Sequence, residues 1–451
     1  MHVILKILIG VLAAPFILAF LALLTALLLL YVLTLVGPLY HVYRLRQEAE
    51  LISIESLMKQ DLGFNYFQSR RGRLAYRWTI PADSEDPNKN KRKHKCPIVL
   101  PGGLGSTMIN INIWHDRLFK AGFRVLSYDR IDVGTSDDNY QDSKVTAVDT
   151  VEDMHALLEQ VCPNEKWIVV GGSFGNLVGE LFTGHYPQSV AGIVNIDGLP
   201  YPLGLDPKVC KGFETVAKIY KVETFLSKLG LFRPLIHLMT SKLPKTTYKD
   251  CLVPLEITLA QIQSPRTLSS IATETMLMMD FGQQAGSIEN PNGWGKVGKA
   301  AIPQEIFDEM IHCKGDFVIK DSQKSPSETI TPNTMVAANN AYNMAIAARL
   351  SAIENKESKL AQRWREIPVR CLSGRNYDYD PYELFMTKEM KDLYAYEHAF
   401  LAMFARNGRR WEFPNESHGS LPFSGTEYLV AATMEVADLA ERFEEEDKTS
   451  V

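Results

Sequence analysis

Short apolar runs rich in β-branched residues alternate with stretches whose apolar positions recur at helical spacing. Four such runs come early, CPIVL (96–100), FRVLSY (123–128), WIVV (167–170) and VAGIVNI (190–196). Between and after them the pattern predicts helices over about 106–121, 147–161 and 177–186. Upstream, 64–80 (FNYFQSRRGRLAYRWTI) predicts a hairpin turning near Arg71-Gly72, and 81–95 a charged surface loop. The alternation stops near Gly198. Residues 199–365 carry a mainly helical pattern, and the strands resume with IPVRCL (367–372) and RRWEF (409–413). A helical stretch over about 381–406 separates these two strands, and a last helix covers about 425–445. Strands separated by helices predict a mostly parallel, doubly wound α/β sheet. The long helical interruption predicts a cap inserted into it.

The N-terminus follows another pattern. From Ile7 to Val36 no charged residue occurs across 30 positions. At about 1.5 Å per residue a helix of that length exceeds the roughly 30 Å hydrocarbon core. The run is too long for the apolar region of a cleaved signal peptide, about 7–15 residues. It therefore predicts a membrane anchor over 1–40, followed by the first part of the α/β core over 41–198, the cap over 199–365 and the rest of the core over 366–451. Arg44 and Arg46 after the run lean toward a cytosolic body.

Composition narrows the classes. The 451 residues are 46% hydrophobic and 22% charged with a net charge of −5, a globular balance with nothing that argues for nucleic acid. Six cysteines (96, 162, 210, 251, 313, 371) show no CxxC pair, so no metal site is expected; Cys96 and Cys371 read as buried thiols. No cofactor is implied.

The chemistry concentrates in IVVGGSFGNLVGEL (168–181). A serine between glycines, after an apolar strand and before a helix, is the context of a nucleophile elbow. Gly171 and Gly175 allow the tight turn, and Ser173 sits at a helix N-terminus, where amides and dipole favour negative charge. Such a nucleophile needs oxyanion donors, a base and an acid. The glycine loop after CPIVL, Pro101 to Ser106, offers the Gly103 N–H, and the residue after the serine offers that of Phe174. Among ten histidines, His418 follows the last strand in PNESHG and is the candidate base, whereas His398 lies inside a helical stretch. The acid has three candidates. Asp378 comes first, after strand IPVRCL; Asp380 and Asp197, at the end of VAGIVNI, are the alternatives.

PIVLPGGLGS, RVLSYDRIDVGTSD, IVVGGSFGN, VAGIVNIDG, IPVRCLSGRNYDYD and FPNESHG together resemble the α/β-hydrolase superfamily, in its branch with a cap domain. The pieces come in the family's order and span the body outside anchor and cap. The resemblance implies serine hydrolysis through an acyl-enzyme, with Ser173, Asp378 and His418 in the family's chain order. Two departures stand out. Pro101-Gly102 replaces the family's common His-Gly, and Asp378 lies one residue beyond the usual acid position, which holds Tyr377. The loop Asp129 to Ser136 is read as structural.

In this branch the cap selects substrate. Nine Lys/Arg against two Glu in 208–249 suggest contact with an anionic membrane surface. The run MLMMDF (276–281) reads as core before it reads as an acyl pocket. The expected activity is cleavage of a carboxylic ester, with a lipid or other lipophilic acyl compound as the candidate substrate. A proline iminopeptidase-like peptidase and a non-enzymatic ligand-binding member of the fold stay open.

Overall fold

All six predicted core strands and the predicted hairpin form, in a single eight-stranded sheet of order β1-β2-β4-β3-β5-β6-β7-β8. The computed structural model describes residues 62–81, 96–138, 144–199, 207–229, 264–289, 366–374, 405–413 and 415–449. It also describes residues 19–31, His398 and a few single positions before residue 62. The strands are β1 (Asn65–Gln68), β2 (Arg73–Thr79), β3 (Ile98–Pro101), β4 (Val125–Tyr128), β5 (Trp167–Gly172), β6 (Val190–Ile196), β7 (Val369–Gly374) and β8 (Arg409–Phe413). β2 runs antiparallel to β1 and β4; from β4 to β8 every pairing is parallel.

Both faces of the sheet are covered, which is why the central strands read as unbroken apolar runs. Successive side chains alternate between the faces. Val99, Trp167, Val169 and Ile193 enter one core with helices α2 (Ala147–Val161) and α3 (Phe174–His185). Ile98, Leu100, Ile168, Val170 and Val194 enter the other with α1 (Asn112–Lys120) and α6 (Thr426–Thr449). Helix α2 starts where Thr146 and Asp149 form a reciprocal capping box. The first helix is shorter than its pattern suggested. Residues 106–111 stay irregular because their polar groups close local turns, Thr107 with Asn110 above all.

Of the stretch 199–365, two helices are described, α4 (Pro207–Lys228) and α5 (Pro265–Glu289). They pack on each other, and α5 packs on α2 and α3. Leu277, Met278 and Phe281 of α5 join the core of that face, so the methionine-rich run is core packing. Residues 19–31 are helical. Among the described residues no helix is long and apolar enough to cross a membrane. The charged loop 82–95 and residues 230–263 lie outside the described residues.

Candidate active site

The turn from β5 into α3 puts Ser173 at φ 51°, ψ −124°, a left-handed conformation that an L-residue adopts only under constraint. The neighbours supply the constraint. A side chain at Gly175 would run into the Pro101 carbonyl, and a Cβ at Gly171 would lie 2.7 Å from the Gly175 carbonyl oxygen. Helix, strand β3 and elbow therefore touch backbone to backbone, and the serine is the side chain left projecting at the sheet's C-terminal edge.

His418 reaches it from the loop after β8. Its Nε2 lies 3.0 Å from Ser173 Oγ, and its Nδ1 lies 2.8 Å from Asp197 Oδ2. A tight turn holds that loop: Ser420 Oγ accepts from the Ser417 N–H at 2.8 Å and donates to Glu416 at 2.6 Å. Gly374, at the end of β7, lets the loop approach, since a Cβ there would meet the Glu416 carbonyl oxygen at 2.8 Å.

The carboxylate that meets the imidazole is thus Asp197, the third of the three candidates; Asp378 and Asp380 lie outside the described residues. Its position has a physical cause. β6 lies directly beside β5, so a residue at its C-terminal end is one strand from the serine. Asp197 is fully buried at φ 44°. Its N–H extends the sheet ladder to the Leu372 carbonyl at 2.7 Å, and its Oδ1 accepts from the Gly374 N–H at 3.1 Å. Oδ2 is then the oxygen turned to His418.

His398, passed over because of its helical setting, lies beneath this carboxylate. Its Nδ1 is 3.9 Å from Asp197 Oδ1 and 2.7 Å from Ser373 Oγ, and its Nε2 is 3.0 Å from the Gly198 carbonyl. Burial pushes its pKa down to about 4 against the pull of Asp197, so the ring is neutral at physiological pH.

The glycine loop after β3 faces the serine. A Cβ on Gly103 would stand 3.7 Å from Ser173 Cβ. Among the described residues neither the Gly103 nor the Phe174 N–H makes a hydrogen bond. Two further residues hold this loop, Arg130 and Glu274. The first sits in a loop that read as structural, and the second is one acid in a long helix, with no local signal to mark it. Asp129, in the same loop as Arg130, does act structurally: its carboxylate accepts from the N–H groups of Met108 and Thr135 at 2.6 and 2.9 Å. No cluster of metal-ligating side chains occurs among the described residues.

Residues 98–218 match the family model described as alpha/beta hydrolase fold. A comparison with curated proteins finds no match. Among solved structures the chain is similar to a carboxylesterase of Nitrososphaera gargenis, at 12% identity and a TM-score of 0.44, covering 84% of this chain and 99% of that one. It is also similar to a thermophilic esterase from Thermogutta terrifontis, at 13% identity and a TM-score of 0.45, covering 84% and 98%. A haloalkane dehalogenase variant from Bradyrhizobium elkanii aligns at 11% identity and a TM-score of 0.45, covering 85% and 98%. With 98–218 matched to that family and eight strands in this order, the chain has an α/β-hydrolase fold.

Proposed function

We propose that this chain is a serine hydrolase that cleaves carboxylic esters through an acyl-enzyme. The observation that carries the reading is the hydrogen-bonded chain from Asp197 through His418 to Ser173, set on a strained elbow. His418 Nε2 takes the proton of Ser173 Oγ as that oxygen attacks the acyl carbon, then returns it to the departing alcohol. Asp197 accepts the Nδ1–H and so fixes the tautomer that leaves Nε2 free as a base. The N–H groups of Gly103 and Phe174 receive the negative charge on the carbonyl oxygen. Water, activated by the same imidazole, then releases the acid. A fluorophosphonate probe should label the wild type and not Ser173→Ala; an unlabelled wild type removes the reading. Acyl esters set against aminoacyl amides separate an esterase from a peptidase of the same fold.

The substrate class we assign is a lipophilic ester, and a membrane-bound setting is part of that proposal. In the helical residues 19–31, Phe20, Leu21, Leu23, Leu24, Leu27 to Leu30 and Tyr31 are each more than half exposed, an apolar surface that no described residues cover. On α4 the face turned from the protein carries Ile219, Val222 and Phe225, 42%, 59% and 60% exposed, among the exposed Lys211, Lys218, Lys221 and Lys228. Such a face suits an anionic bilayer surface, each buried large apolar side chain contributing about 1.5–3 kcal/mol. Full-length protein recovered in the soluble fraction after membrane pelleting would remove this part. Protease protection of sealed membranes tests the cytosolic placement of the body.

A further inference from the structure

The loop that carries the Gly103 donor is held from behind by a buried ion pair. Arg130, just after β4, donates from Nη1 to the Gly102 carbonyl at 2.6 Å and from Nη2 to the Gly103 carbonyl at 2.7 Å. Its Nε meets Glu274 Oε1 at 2.5 Å, and Nη2 meets Oε2 at 3.0 Å, a two-pronged contact. Glu274 Oε2 also accepts from the Gly105 N–H at 2.7 Å. Arg130 and Glu274 are 5% and 4% exposed. One carboxylate from α5 thus ties the far end of the loop, and the guanidinium it neutralises ties the near end.

The direction of these bonds matters. The peptide between Gly102 and Gly103 is planar and trans, so its N–H points opposite to its C=O. Fastening the Gly102 carbonyl to Arg130 therefore turns the Gly103 N–H away from Arg130. The second donor is framed by the same groups. The Arg130 guanidinium lies 5.1 Å from the centroid of the Phe174 ring, and Phe281 of α5 meets that ring edge-on at 5.3 Å. Ile271, Glu274 and Phe281 recur at helical spacing, so one face of α5 meets Gly105, Arg130 and Phe174 together. At Gly105, φ 61°, a side chain would run into Ile271, so the loop and α5 are fitted closely.

We propose that Glu274 and Arg130 are positioning residues for the oxyanion hole, so that helix α5 of the inserted stretch sets the catalytic competence of Ser173. This rests on the hydrolase reading above. The two residues touch no substrate; they act by aiming the Gly103 N–H and seating Phe174. Misplacing one donor by about 1 Å costs up to about a hundredfold in rate, and removing it costs about a hundred- to a thousandfold.

The test uses the full chain in detergent, comparing wild type with Glu274→Gln, which keeps shape and removes the charge. Fluorophosphonate labelling is followed against probe concentration, and hydrogen–deuterium exchange is followed by peptide. The expected result is a limiting labelling rate lowered about tenfold to a hundredfold with the half-saturating concentration nearly unchanged. Exchange should accelerate in 101–107 and stay as in wild type through β5 and α2. A variant with wild-type labelling and wild-type exchange in 101–107 overturns the proposal. So does a loss of protection spread evenly over the protein, which marks the pair as merely structural. If Glu274→Gln does not fold, Glu274→Asp, with the charge kept and the reach shortened, replaces it under the same expectations. A wild type that does not label sinks the hydrolase reading alone, and exchange in 101–107 then decides the positioning role.

Discussion

Replacing Asp197 by Asn tests which carboxylate serves His418, and its size can be worked from the geometry. At 2.8 Å between Nδ1 and Oδ2, an imidazolium and a carboxylate attract by about 6 kcal/mol at an effective dielectric constant near 20. Taking the two charges as spread over their groups, about 4 Å apart, lowers this to about 4 kcal/mol. The attraction exists only after His418 has taken the serine proton, so its loss falls on the transition state rather than on substrate binding. At about 1.4 kcal/mol per decade, kcat should fall about a thousand- to ten-thousandfold with KM little changed. Asn also offers an N–H where an acceptor is needed, which favours the wrong tautomer. His398 cannot substitute, because both its ring nitrogens are engaged, with Ser373 and with the Gly198 carbonyl. The assay is hydrolysis of a p-nitrophenyl ester by Asp197→Asn, Asp378→Asn and Asp380→Asn, each checked for a wild-type melting curve. Asp378→Asn and Asp380→Asn should stay within about threefold of wild type, an interval that corresponds to less than 1 kcal/mol. If Asp197→Asn keeps a tenth of the wild-type kcat while Asp378→Asn collapses, the acid has been assigned to the wrong strand.

The remaining predictions concern the elbow and the buried histidines. Ser173→Gly and Ser173→Ala both remove the hydroxyl, but only glycine accepts φ 51° without strain; the glycine variant should be more stable by about 1–2 kcal/mol, and equal or reversed melting temperatures refute the strain. Gly175→Ala drives a methyl into the Pro101 carbonyl, so we expect loss of probe labelling and a destabilisation of at least about 2 kcal/mol in urea melts; a labelled, wild-type-like variant excludes the close approach. Burial lowers His115 to about 2 and His398 to about 4 from 6.5. Both rings therefore stay neutral in the folded state while the unfolded chain takes up protons, so their contribution is complete above pH 6.5 and is lost as pH falls, through about 4 for His398 and further for His115. Near pH 5 these two alone give a slope of roughly 2–3 kcal/mol per pH unit. Urea midpoints that do not move between pH 7 and 4.5 contradict it.

The fold was legible because its central strands, β3 to β7, are buried on both faces. Val99 and Val169 pack against one helical layer, Ile98 and Ile168 against the other, and such strands appear in sequence as short apolar runs with nothing polar between. The elbow was legible for a related reason: strand, glycines and helix must be contiguous for the turn to close, so the signal sits in neighbouring residues. The glycine loop after β3 shares that property. His418 was reachable because it follows a strand that could be counted.

What stayed hidden depends on which groups meet across the sheet. Asp197 was visible as a residue, but in NIDG it reads as a turn, and only the pairing of β6 beside β5 turns it into the neighbour of Ser173. Counting strands points past β7, to Asp378, which lies outside the described residues; which described carboxylate meets the imidazole depends on where the His418 loop descends. That loop descends against Gly374, at the end of β7, and Gly374 spends its own N–H on Asp197. Strand β7, after which the acid was expected, supplies the backbone N–H that orients the Asp197 carboxylate at the end of β6. Glu274 is a stronger case, since 144 residues separate it from Arg130 and no local pattern marks a lone acid on a long helix. Its partner Arg130 lies in a loop correctly read as structural, yet the structure it maintains is the loop opposite the nucleophile. The boundary between scaffold and site therefore does not follow the boundary between core and inserted stretch: one face of α5 contributes a carboxylate and a ring to the surroundings of both proposed oxyanion donors.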